Sequence, residues 1–292
     1  MQLITHRCAW KPLHIIPLGD IQWAGSGHYT ASLTALRSHI ARGLAYAAAG
    51  DQVFWILTGD YIDFTSPSNR ARLNAADLYD TAIDILDGTA LSLNQELFDL
   101  ALKPLKGFPI AALEGHHFRQ LTTGATSDME LCKLLGATFL GTSALIRFRF
   151  VSKRGAESTA VLWAHHGVGN GQTGYYPVMR LEKVAADWEG VDVFIIGHTC
   201  KNAIELRNKI RPRWDVRSGP DLVHRKVLLV GAGGFSKSYV ENARQGNVPR
   251  GGYAEKGMMS ATVLGAPIIH IVPQRYRLGG IERHELIITA EA

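Results

Sequence analysis

The sequence predicts an α/β protein built on two β-sheets. Two observations carry this reading. The first half of the 292 residues repeats a unit of apolar strand, glycine-bearing loop and helix, whereas the second half is mostly strand punctuated by Gly and Pro. No internal repeat, low-complexity tract or linker interrupts the chain, so 1–292 reads as a single domain.

The first unit is the apolar run 13–18 (LHIIPL), ending at Gly19-Asp20. The helix His28 to Gly50 follows, with Leu33, Leu36, Ile40 and Leu44 at helical spacing and Gly50 as its stop. The second unit is VFWILT (53–58), ending at Gly59-Asp60, then a Ser/Pro/Asn loop and a long helical stretch from Arg70 to Leu102. The third is FPIAAL (108–113), ending at Glu114-Gly115, with helical pattern resuming at Asp128–Leu135 and closed by Gly136. Beyond it, 144–151 and 158–164 flank a Lys-Arg-Gly turn as an antiparallel hairpin. A Gly-rich loop (167–174), a helix from Tyr176 to Trp188 and the apolar strand 191–196 come next. The segments 202–217, 224–230, 261–272 and 281–289 read as strands.

A hydrophobic fraction of 46% and a charged fraction of 20% exclude a disordered chain. No run approaches a membrane span, and the charged start MQLITHRCAWKPLH lacks the apolar region of a secretory signal, so a cytoplasmic protein is expected. Cys8, Cys132 and Cys200 are odd in number and widely spaced, as reduced thiols are. Between Lys201 and Lys226 eight Lys/Arg face three acids, an excess equal to the whole chain's formal charge of +5. From Ile204 to Arg217 the apolar residues fall on one parity and Arg207, Lys209, Arg211, Arg213 and Arg217 on the other. A strand here would bury Ile204, Leu206, Ile210, Trp214 and Val216 and display a basic stripe, and Pro212 places it at a sheet edge or breaks it. Such a stripe either tracks phosphates or protects an edge from association.

Five strand-end loops carry metal-competent side chains: Gly19-Asp20-Ile21-Gln22, Gly59-Asp60-Tyr61-Ile62-Asp63, Gly115-His116-His117, His165-His166-Gly167 and Gly197-His198-Thr199-Cys200. In α/β architectures ligands bind beyond the carboxyl ends of strands, where fixed strands let loop residues converge. One such loop is ordinarily a turn or a helix cap. Five bearing Asp and His in this order are not a packing pattern.

The order resembles the calcineurin-like metallophosphoesterases, whose motifs run GD-x-H, GD-x-x-D, GNH-[DE], a strand-terminal His and GH-x-H. The likeness covers a motif core of about 13–200, with 201–292 as a β-rich completion. The HHG-x-G-x-G loop and the basic segment also resemble phage-encoded members. The resemblance implies a four-layer αββα sandwich of two mixed sheets flanked by helices. It also implies a metal-dependent phosphoester hydrolase that attacks with a metal-bridging hydroxide. Carried over, Asp20, Gln22, Asp60 and Cys200 hold one divalent transition metal (Mn, Zn or Fe), and Asp60, His116, His165 and His198 hold the other. His117 protonates the leaving alkoxide, Asp63 orients a neighbour, and His166 contacts phosphate or is packed. Gln22 and Cys200 stand where the family has His, and His116 where it has Asn. The first site is therefore weakened or retuned, and the His-rich site is the tighter of the two.

Phe64 and Phe118 stand where protein phosphatases of this class carry Arg and Glu, which turns the expectation towards a phosphodiesterase or nuclease acting on a phosphodiester, DNA or RNA included. Arg207, Lys209 and Arg211 are the candidate phosphate-contacting residues. Two alternatives stand beside this. A degenerate member would keep the fold as a nucleic-acid or protein binding module, and Gly169 to Gly174, a formal G-x-G-x-x-G, would suit a dinucleotide protein.

Overall fold

A computed structural model describes residues 1–25, 30–152, 155–169, 171, 173–215, 219–278 and 281–292. His28 at the expected helix start, Lys153 and Arg154 of the hairpin turn, Asn170 and Gln172 of the glycine-rich loop, and Val216 and Arg217 of the basic segment lie outside the described residues.

The first half contains β1 (Gln2–Ala9), β2 (Leu13–Leu18), α1 (Leu33–Ala48), β3 (Gln52–Leu57), α2 (Pro67–Ala75), α3 (Asp80–Leu97), β4 (Ile110–Ala112), α4 (Ser127–Leu135) and β5 (Thr138–Phe139). The second contains β6 (Ser143–Val151), β7 (Glu157–His165), α5 (Tyr176–Asp187), β8 (Val193–Ile196), β9 (Asn202–Asp215) and β10 (Gly219–Ala232). The short β11 (Arg244–Gln245), β12 (Val248–Pro249) and α6 (Tyr253–Lys256) precede the closing hairpin β13 (Ile268–Leu278) and β14 (Ile281–Glu291). One six-stranded mixed sheet runs β1-β6-β7-β8-β10-β9 and the other β14-β13-β2-β3-β4-β5.

Period-two alternation on both sheets makes three apolar layers. Leu13, Ile15, Phe54 and Ile56 of one sheet meet Ile146, Phe148, Leu162 and Ile195 of the other in the middle layer. The opposite face of the β2-β3-β4 sheet, with Ile16, Trp55 and Leu57, is covered by Leu36 and Ile40 of α1, Leu97 of α3 and Leu131 of α4. Trp163, Phe194 and Leu229 on the outer face of the other sheet take Val178 and Leu181 of α5. The architecture is thus a four-layer αββα sandwich. Among the described residues no helix is long and apolar enough to cross a membrane.

Local chemistry sets the helix ends. Ser32 Oγ accepts from Ala35 N at the start of α1 and Thr126 Oγ1 from Met129 N at the start of α4, and Gly136 closes α4 in the left-handed region at φ 71°.

Two expectations need correction, and one strand carried no sequence reading. The N-terminal residues form β1, paired in parallel with β6. Its inward positions are Ile4, His6 and Cys8, and the polar members hide the alternation although Cys8 is buried between the sheets. The stretch 70–102 is not one helix: α2 starts earlier, at Pro67 behind the Ser66 cap, and ends where Ala76 turns to extended backbone at ψ 130°. α3 then restarts with Asp80 in its first turn, where a carboxylate suits the helix dipole.

β9 is an edge strand that keeps Pro212 without breaking. Its parity is as read, but of the face expected to be buried only Ile204 packs against the core. Leu206, Ile210 and Trp214 are exposed, Trp214 at 78%, because their face continues the middle layer past the end of the opposing sheet. The other face carries Arg207 to Glu182 and to Tyr175 Oη at 2.8 Å, and Lys209 to the carbonyls of Ala185 and Trp188. Long basic side chains here close the end of α5.

Candidate metal centre

β2, β3 and β4 run parallel in one sheet, as β7 and β8 do in the other, and all five carboxyl ends open at the same edge of the sandwich. The first two loops are zipped together beyond their strands. Asp20 N donates to Gly59 O (2.9 Å), and Ile21 N and Gln22 N both donate to Asp60 O (3.0 Å). Close approach of the third loop depends on glycine: a Cβ on Gly115 would lie 2.1 Å from Asp60 N.

Backbone strain concentrates here. Among the described residues seven non-glycine positions have positive φ, and five of them are Asp20, Gln22, Asp60, His198 and Cys200. Each such residue costs about 1–3 kcal/mol, and strain clustered at one spot is characteristic of ligand sites.

The imidazoles of His116, His166 and His198 converge, with ligand atoms all within 4.8 Å of one another. His116 Nδ1 and His198 Nδ1 are 3.2 Å apart. His166 Nδ1 is held at 2.6 Å by Thr58 O, which turns Nε2 to a position 3.4 Å from Asp60 Oδ1. Asp60 Oδ1 accepts from the backbone N–H of His116 and, at 3.0 Å, of His117. Asp20 Oδ2 accepts from His198 N at 2.8 Å.

His166 stands where His165 was expected. His165 stacks on Trp163, ring centroids 5.7 Å apart, and its Nδ1 takes the N–H of Gly167 at 2.7 Å. Positions 163 and 165 share the strand parity that faces α5, so His165 points out of the middle layer and cannot join the other imidazoles.

The residues fit a metal ion. Asp20 Oδ1, Asp60 Oδ2 and His166 Nε2 are all buried with no hydrogen-bond partner among the described residues. An unsatisfied buried polar atom costs about 1–3 kcal/mol, so two carboxylate oxygens and an imidazole nitrogen that becomes a ligand once it loses its proton argue together for an electrophile that takes them up. Two carboxylates and three imidazoles are a donor set for a divalent transition metal. Gln22 and Cys200 line a cavity together with His116 and His198. Burial first, then the Asp20 and Asp60 carboxylates, push the Cys200 thiol well above its ordinary range, so it is a protonated thiol in the metal-free protein.

The other shifts follow from the same crowding. Burial, with Asp60 next, raises Asp20 to about 7. Burial alone would raise Asp60 too, but the His166 and His198 imidazoles hold it well below the usual carboxylate range. Burial lowers His166, an effect outweighed by its contact with Asp60, so it stands at about 9. Burial and the neighbouring imidazoles bring His116 down to about 4, which leaves it a neutral ligand.

The chain is similar in structure to a calcineurin-like phosphoesterase, YfkN from Bacillus subtilis, at 11% identity and a TM-score of 0.34, over 95% of this chain and 90% of that one. It is similar to Vps29 from Chaetomium thermophilum at 8% identity and a TM-score of 0.31, over 95% of each chain. No family model matches the sequence, and the curated proteins contain no match to it. Scores this low decide nothing about function, so the functional reading stands on the geometry of the centre.

Beside the imidazoles, His117 Nδ1 lies 2.7 Å from Asp63 Oδ1, and its Nε2 is 3.9 Å from Asp60 Oδ2. Burial lowers this imidazole's pKa, but the Asp63 hydrogen bond and the Asp60 charge outweigh it and the net shift is upward. His116, His117, His198, Gln22 and Cys200 all line one cavity of about 850 Å³. Arg207, Lys209 and Arg211 do not line it.

Two supporting residues carry no sequence signal. Asp128 Oδ2 accepts from Gly115 N at 2.9 Å beneath the His116-His117 loop, yet in sequence it is an ordinary first-turn acid of α4. Arg70 donates to the carbonyls of Thr65 (2.8 Å), His116 (2.5 Å) and Phe118 (3.2 Å) and sits 3.9 Å over the Phe118 ring, clamping the loop from α2.

Proposed function

We propose that the chain is a metal-dependent phosphoester hydrolase of the calcineurin-like class, acting on phosphodiesters. The observation that carries the reading is the convergence of three orphaned buried ligand atoms, on Asp20, Asp60 and His166, with the His116 and His198 imidazoles, next to a His117–Asp63 pair that opens on a cavity. His116, His166 and His198 with Asp60 would hold the tighter cation. Asp20, Asp60, Gln22 and Cys200 would hold a second one weakly, because Gln22 offers a neutral oxygen and Cys200 must first lose a proton. When bound, a divalent cation supplies Lewis-acid stabilisation of phosphoryl charge and lowers the pKa of water.

The chain's own residues do the rest. Asp60 fixes the His116-His117 backbone through its Oδ1, and so places both side chains. Hydrolysis forms a bond from a water oxygen to phosphorus, breaks the ester P–O bond and needs a proton on the departing alkoxide. His117 is the donor: its upward-shifted pKa keeps imidazolium populated near neutrality, and Asp63 on Nδ1 aims the other nitrogen at the cavity. A ligand-holding module with no chemistry would have no use for such a pair.

The test is turnover of bis-p-nitrophenyl phosphate by protein stripped with chelator and reloaded with Mn or Zn. Nitrophenolate release that appears only on reloading and disappears in Asp60→Ala is expected. Protein that binds metal yet turns over no phosphodiester under any loading would be a binding module instead.

A further inference from the structure

Outside the metal centre the cavity has a one-sided charge. Besides the imidazoles and the Cys200 thiol, the ionisable residues that line it are Asp63, Lys201 and Lys237, and Asp63 is engaged by His117. Lys201 follows Cys200 directly, so its place is set by the metal loop. Its Nζ donates to Ser260 Oγ at 2.6 Å and lies 3.3 Å from Ser260 O, which leaves a third N–H. Lys237 is brought in from the other side. Gly234 packs against Asp20, where a Cβ would lie 2.9 Å from the Asp20 Cβ, and Phe235 N donates to Asp20 O at 3.0 Å. The Lys237 backbone is then pinned by Thr30 O at 2.6 Å, and among the described residues its ammonium has no carboxylate partner. Around the two lysines the wall is hydroxyl, with Ser236, Ser238 and Thr262.

Two lysines that line one cavity and have no carboxylate partner among the described residues concentrate positive potential there. Phe64 is the one Phe, Tyr or Trp lining the cavity among the described residues, so apart from the imidazoles of the centre there is no platform on which successive bases would stack. Hydroxyls and ammonium groups recognise phosphate and sugar oxygens. We propose that Lys201 and Lys237 form a second phosphate subsite, so that the preferred substrate is a phosphodiester flanked by another phosphate, as in an oligonucleotide backbone. The proposal rests on the phosphoesterase reading for the chemistry, but the subsite is a binding claim and can be judged separately.

The experiment compares thymidine dinucleotides that differ only in a terminal phosphate, TpT against pTpT and TpTp, with metal-loaded protein. At least one phosphorylated form should exceed TpT in kcat/KM by about tenfold, the scale of one charge-assisted contact. In the Lys201→Ala/Lys237→Ala double variant that ratio should fall to about one, and Lys201→Arg/Lys237→Arg should restore most of it. Lys133→Ala/Lys226→Ala, an equal loss of charge outside the cavity, should keep the preference. Equal kcat/KM for all three dinucleotides in the wild type, or a preference that survives the double alanine variant, overturns the subsite. If bis-p-nitrophenyl phosphate is not hydrolysed at all, the phosphoesterase reading fails. The affinities of the loaded protein for the same dinucleotides then decide the subsite, with tighter binding of a phosphorylated form that depends on both lysines supporting it and equal binding refuting it.

Discussion

His117→Ala should slow hydrolysis of an alkyl phosphodiester by about 10²–10⁴-fold, the usual contribution of a positioned general acid, and slow bis-p-nitrophenyl phosphate far less. The difference arises at the leaving group. An alkoxide is a strong base and needs the proton that His117 carries, whereas nitrophenolate departs readily without one. Asp63→Asn should show a weaker version of the same pattern, since it leaves the imidazole in place but removes the charge that holds its pKa up across the 2.7 Å contact. Steady-state kinetics on a leaving-group series provides the check, and a uniform loss across the series would remove His117 from the role of acid.

Metal affinity should climb steeply with pH. Binding at the tighter site requires His166 neutral and at the weaker site Asp20 ionised, whereas in the metal-free protein His166 holds its proton to about 9 and Asp20 to about 7. The apparent association constant of the tighter site should therefore rise about tenfold per pH unit up to about 9 through His166 and level off above it, and that of the weaker site should rise at least as steeply up to about 7 through Asp20. Stability of the metal-free protein runs the other way. Both pKa values are raised on folding, so each contribution is fully present below the unfolded value and is lost as pH rises through the folded one. For Asp20 that window is 3.8 to about 7 and for His166 it is 6.5 to about 9. Thermal melts with and without metal should consequently diverge as pH rises. A constant gap between the two melts from pH 6 to 9 would mean these protons are not displaced.

Much of the fold was legible because glycine and apolar runs mark strand ends directly. The units ending at Gly19-Asp20, Gly59-Asp60 and Gly115 correspond to β2, β3 and β4, and the Gly136 stop is a left-handed helix cap. What escaped depends on facts that a linear pattern does not hold. Whether His165 or His166 joins the centre is a matter of strand parity. Leu162 and Ala164 lie between the sheets, His166 continues their side past the strand end, and His165 shares the outer side with Trp163. That parity was present in the sequence, but a choice between its two faces needs the position of α5. The same holds for β9, where alternation was plain and the buried face was not, because burial depends on how far the opposing sheet reaches. Asp128 and Arg70 act through backbone groups of a loop distant in sequence, and such contacts leave no periodic trace.

Metal loading of two single variants tests the centre most directly. Protein stripped with chelator and reloaded with Zn or Mn at pH 8 should retain close to one tightly held equivalent by elemental analysis, and His165→Ala should retain the same. His166→Ala should lose at least 100-fold in affinity, because it removes a buried ligand and leaves Asp60 without its partner at 3.4 Å. Wild-type protein that cannot be loaded, or a loss confined to His165→Ala, would contradict the assignment of the metal to His116, His166 and His198.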